Sequence, residues 1–67
     1  SRSIRQQIET YLSSYEDRLL EELRVATGTA RPVAEEFIEI AAGFRDALGE
    51  EKQAEVLRRR GQVAARG

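Results

Sequence analysis

The apolar spacing of the first 27 residues is what most limits the shapes open to this chain. Ile4, Ile8, Tyr11, Leu12, Tyr15, Leu19, Leu23 and Ala26 recur at helical intervals. At 100° per residue they fall within an arc of roughly 120°. A half-buried strand would need strict alternation, and none is present. The spacing predicts an amphipathic helix over about residues 3–27, roughly 35–40 Å long at 1.5 Å per residue. Gly28 is placed to end it in a left-handed C-cap. Such a helix is long for a chain of 67 residues. A long helix in a short chain calls for a partner of similar length.

Gly28-Thr29-Ala30-Arg31-Pro32 reads as a turn, with Thr29 as N-cap and Pro32 in the first turn of a second helix. That helix is expected over 31–48. Its stripe is Val33, Phe37, Ile40, Ala41, Phe44, Ala47 and Leu48, with Ile38 off the centre. Gly49 interrupts the pattern, and a third helix is expected over 50–60. Its apolar residues do not gather on one face: Ala54 and Leu57 point one way and Val56 another. The third helix is therefore expected to be short and loosely attached, with 61–67 a frayed tail. Residues 1–60 form one helical domain in this reading.

The fold class is all-α: an antiparallel helical hairpin plus a short third helix, pairing as a dimeric four-helix bundle. A lone hairpin has a single packing seam, whereas both stripes are broad. The expected interface or core residues are Ile4, Ile8, Tyr11, Leu12, Tyr15, Leu19, Leu23, Val33, Phe37, Ile40, Phe44 and Leu48. The competing architecture is a three-helix monomer whose third helix covers the open face. Tyr11 and Tyr15 are expected at the seam's edge, with their hydroxyls in water.

Composition removes most chemistry. There is no Cys and no His, so disulfides, thiolate zinc sites and the commonest general base are absent. Glu35, Glu36 and Glu39 lack the histidines that a bundle di-metal site uses and read as a solvated face. No phosphate-binding loop motif occurs, and Ser13 and Ser14 have no base nearby. The expectation is a non-enzymatic protein with no catalytic residue, no cofactor, no metal and no small-molecule substrate. No apolar run approaches the ~20 residues of a bilayer span. With no Cys and no signal segment, the expected setting is cytoplasmic and away from membranes.

Charge is unevenly spread although the net is only -1. The middle of the chain is acidic and the end basic, with Arg58, Arg59 and Arg60 in succession. Three adjacent arginines on a helix point in three directions, and no aromatic side chain is interleaved to stack on bases. A helix-turn-helix over 44–60 is disfavoured, because its second helix would carry Glu50, Glu51 and Glu55. The favoured function is a protein–protein interaction module that homodimerises or docks onto another protein. The alternative is a small dimeric RNA- or DNA-binding protein contacting nucleic acid through Arg58, Arg59 and Arg60.

Overall fold

Helix formation begins at Ser3. Its hydroxyl accepts the Gln6 N–H at 3.2 Å, and the Gln6 side chain accepts the Ser3 N–H at 2.9 Å. This capping box satisfies two donors that a helix start otherwise leaves unpaired. In the computed structural model, which describes all 67 residues, α1 runs Ile4–Val25, α2 Ala30–Ala47 and α3 Glu51–Ala64, with no strand. The all-α expectation holds.

The helix ends differ from the expected ones for local reasons. The C-cap of α1 is Ala26, in extended backbone, whose N–H donates to Leu23 O at 3.2 Å. Gly28 lies beyond the cap, in the connecting turn, at φ +58°. Thr29 occupies the N-cap position of α2 without a side-chain capping bond, because its backbone is already helical. α2 closes with a Schellman motif. Gly49 takes φ +80°, its N–H donates to Asp46 O at 2.9 Å, and the Glu50 N–H donates to Arg45 O at 2.9 Å. That sharp stop turns the chain back along the hairpin as α3.

α3 is neither short nor loose, which corrects the expectation of a helix ending at 60 with a frayed tail. It continues to Ala64, and its Ala54, Leu57 and Gly61 are buried. A Cβ at Gly61 would lie 2.9 Å from Ile38 Cγ2, so the glycine lets α3 approach α2 closely. Ala64 and Ala65 pack against the core beyond it.

The core is Leu19, Leu20, Leu23, Ile38, Ala41, Ala42, Ala54 and Leu57. Three of its eight members are alanines, so it is a tight seam between three closely spaced helices. Of the twelve residues expected as core or interface, only Leu19 and Leu23 lie in it, and Leu12 is half-buried.

In line with the core sits Arg45, only 1% exposed. Its Nε donates to Glu16 Oε2 at 2.7 Å, and Nη2 reaches Glu16 Oε1 at 3.1 Å. Nη1 donates to Glu9 Oε1 and to Glu50 Oε1, both at 2.7 Å, while Nη2 makes a longer bond to Glu9 Oε2. All five guanidinium N–H groups are engaged. No buried side-chain polar atom is left unpaired. One side chain of α2 thereby holds two acids of α1 and the residue that opens α3.

Removing one partner from a buried ion pair leaves the other charge uncompensated, at a cost of about 3–5 kcal/mol. Glu16 is the partner with least access to water. Arg45→Met is expected to lose about that much stability in urea unfolding. Arg45→Met combined with Glu16→Leu is expected to recover most of it. A single substitution within about 1 kcal/mol of the parent chain would contradict the assigned role.

Candidate functional site

The orientation of α2 determines what the chain leaves uncovered. Ala34, Ile38, Ala41, Ala42 and Arg45 share one face and turn inward. Val33, Phe37, Ile40, Phe44 and Leu48 form a second face about 100° away at 3.6 residues per turn, and all five are exposed. On α1, Leu19, Leu20, Leu23 and Glu16 turn inward, while Ile4, Ile8, Tyr11 and Tyr15 stay outside. Ile4 is 75% exposed, Tyr11 69% and Ile40 59%. These nine residues were expected to be covered in the final fold, and within this chain they are not.

α3 does not cover them because it lies on the other side of the hairpin. It meets α1 along a groove lined by Asp17, Leu20, Arg24, Arg60 and Val63. It meets α2 along a groove lined by Glu35, Ile38, Glu39, Arg58 and Gly61. None of the nine apolar residues borders either groove. At the open end of the hairpin Ile4, Ile8 and Leu12 share a groove with Leu48, so the exposed stripes of α1 and α2 join into one face. The Arg18 guanidinium sits 5.8 Å from the Tyr15 ring centroid, a cation–π contact continuing the α1 stripe with a charge.

The extent of this face exceeds ordinary surface apolarity. The largest apolar patch on a typical monomer is about 300–600 Å². Here four half-exposed aromatic rings alone contribute about 400 Å², taking roughly 200 Å² per side chain, and five aliphatic side chains lie among them. The whole chain exposes 4999 Å². A compact monomer of its mass would expose about 4,300 Å². The excess, about 700 Å², goes with an elongated outline of 42 × 22 × 16 Å.

The three consecutive arginines divide. Arg58 Nη2 pairs with Glu39 Oε1 at 3.0 Å and with Asp46 Oδ2 at 2.9 Å. Arg60 Nη2 pairs with Asp17 Oδ1 at 3.1 Å. The first straps α3 to α2 and the second straps it to α1. Arg59 is exposed and makes no ion pair. Exposed pairs of this kind are worth little in stability; their effect is to orient α3. Two of the three arginines expected to face a partner are thus engaged within the chain.

The site residues that sequence reasoning missed are Arg45 and its partners Glu9, Glu16 and Glu50. A signal existed: one cation on a face otherwise made of Ala34, Ile38, Ala41 and Ala42.

These ion pairs shift carboxyl titrations in one direction. Arg45, and after it the Ser13 hydroxyl, hold the Glu9 carboxyl below its ordinary value of 4.5. Arg58 does the same to Glu39, and Arg24 to Glu21. Arg45 itself is pushed further up by its carboxylate partners and stays charged throughout. Between pH 4.5 and the lowered native values the unfolded chain binds more protons than the folded one. Stability from Glu9 and Glu39 is therefore complete above that window and is lost as pH falls through it. Thermal unfolding is expected to be nearly independent of pH above 4.5 and to weaken on further acidification, with a shallower fall in Glu9→Gln. A midpoint unchanged down to pH 3 would contradict this.

No helix is long and apolar enough to cross a membrane. No family model, curated protein or solved structure matches the chain significantly.

Proposed function

We propose that this protein is a non-enzymatic association module whose working surface is the exposed α1–α2 face. Two hairpins meeting through that face form a four-helix layer, with an α3 flanking it on each outer side. The observation that carries this reading is that the chain has a complete interior without its largest apolar side chains. Phe37, Ile40, Phe44 and Leu48 remain in water while Ala41 and Ala42 are buried. A face of that area and composition is typical of surfaces that pair. A nucleic-acid role has weaker support, because Arg58 and Arg60 are neutralised by Glu39, Asp46 and Asp17.

Folding and association rest on different residues in this reading, so variants separate them. Ile40→Asp is expected to raise the dissociation constant 100-fold or more, about 3 kcal/mol, while keeping a helical spectrum and a cooperative melt. Leu23→Asp, which puts a charge into a site 1% exposed, is expected to unfold the chain. Equilibrium sedimentation at micromolar concentration measures the first and circular dichroism the second. A parent chain that sediments at 7.6 kDa at every concentration tested would overturn self-association.

A further inference from the structure

The outer side of α3 carries cations that the fold leaves free. Seven residues turn a helix by roughly 700°, about 20° short of two full turns. Lys52 and Arg59 therefore stand on one ridge of α3, about 10 Å apart at 1.5 Å per residue. Arg66 follows in the turn that closes the helix, its N–H donating to Val63 O at 3.1 Å. All three cations are exposed, and none has an ion-pair partner within the chain. Val56 and Val63 alternate with them along the ridge, 37% and 60% exposed, while Ala54, Leu57 and Gly61 turn the opposite way into the core. Acids on the neighbouring flank of α1 are already taken, Asp17 by Arg60, Glu21 by Arg24 and Glu9 by Arg45. Glu55 stands at the ridge's other edge, one acid beside three cations, and no ion pair joins it to Arg59.

We propose that this ridge docks an acidic amphipathic helix of another protein, one that alternates carboxylates and apolar side chains at the same seven-residue period. The ridge faces away from the exposed α1–α2 face and stays open whether or not the chain pairs, so it adds a second surface to the association reading. The occupant follows from spacing and charge. Lys52, Val56, Arg59, Val63 and Arg66 follow the four-three alternation of a coiled-coil seam, with cations and valines at alternate positions. A partner helix of equal period sets a carboxylate against each cation while its apolar side chains cover Val56 and Val63. A second copy is a poor occupant, because α3 laid on α3 sets cations against cations. A nucleic-acid strand neutralises the cations but leaves the valines against its backbone, with no aromatic ring on the ridge to stack on bases.

The test titrates the full chain at low salt with a synthetic helical peptide of about three heptads, leucine at one seam position and glutamate at the other, followed by calorimetry. Two further probes are the same peptide with serine for leucine and a single-stranded oligouridylate of similar charge. The leucine–glutamate peptide is expected to bind, and the other two at least about tenfold more weakly. Arg59→Glu and Val63→Ser are each expected to weaken that binding about tenfold while leaving the thermal midpoint unchanged, since both positions are exposed. Ile40→Asp is expected to leave it unaltered. A parent chain that does not bind the peptide, or binding that survives Lys52→Glu combined with Arg59→Glu, overturns the docking site. Binding lost in Ile40→Asp places the peptide on the α1–α2 face and overturns it equally, and an oligouridylate that binds as tightly as the peptide makes the ridge a nucleic-acid site instead. Self-association is read separately, by sedimentation without any probe, so either proposal can fail alone.

Discussion

The geometry of this molecule depends on a buried guanidinium. Arg45 spends all five of its donors on three carboxylates contributed by α1 and by the residue that opens α3. Fixing Arg45 inward fixes the rotation of α2 about its own axis. Ala41 and Ala42 then turn inward, and Phe37, Ile40 and Phe44 cannot follow. The exposed face is a consequence of the buried charge. The alternative rotation would put the large side chains inside, but it would swing Arg45 towards solvent and leave Glu16 buried without its cation. Such a loss is among the costliest a small core can suffer. The clamp thus acts by disfavouring a competing packing, in addition to whatever net stability it contributes.

The small residues on the inward face have their own logic. Ala41, Ala42, Ala54 and Gly61 let three helices approach within reach of one arginine. Bulkier residues would part the helices and stretch the hydrogen bonds to Glu16 and Glu50. Gly61 shows the constraint most plainly, since even a methyl group there would collide with Ile38. The Schellman motif at Gly49 contributes to the same end. It reverses the chain within two residues and delivers Glu50 to the guanidinium, so turn chemistry and ion pairing support each other.

Helix number, type and approximate limits were legible in the sequence, because apolar periodicity and the glycines at 28 and 49 are local signals. The choice of which face goes inside was not. Periodicity finds the stripe of large side chains on α2, and a reading by size assigns that stripe to the core. The true inner face is marked by small residues and interrupted by Arg45, and a charge normally disqualifies a face from burial. Only the tertiary arrangement brings Glu9, Glu16 and Glu50 to it, from 36, 29 and 5 residues away. The attachment of α3 was illegible for a related reason. Its contact side is built from Ala54, Leu57 and Gly61, whose hydrophobicity is low and whose value lies in closeness. Arg58 and Arg60 read as free basic charge until the fold brings Glu39, Asp46 and Asp17 beside them.

On the association reading proposed above, this partition between a tight interior and a greasy exterior serves two demands that usually conflict in a short chain. If the large side chains held the three helices together, any surface offered to a partner would have to come from the same residues, and separating the partners would unfold each one. Here the interior is closed by alanines, leucines and an ion cluster, so Phe37, Ile40 and Phe44 can remain available. A chain of this length has little core to spare, and covering the face would add apolar burial that the interior lacks. In the association proposed above, folding and pairing are additive contributions drawn from different faces of the same helices, with Arg45 setting the line between them.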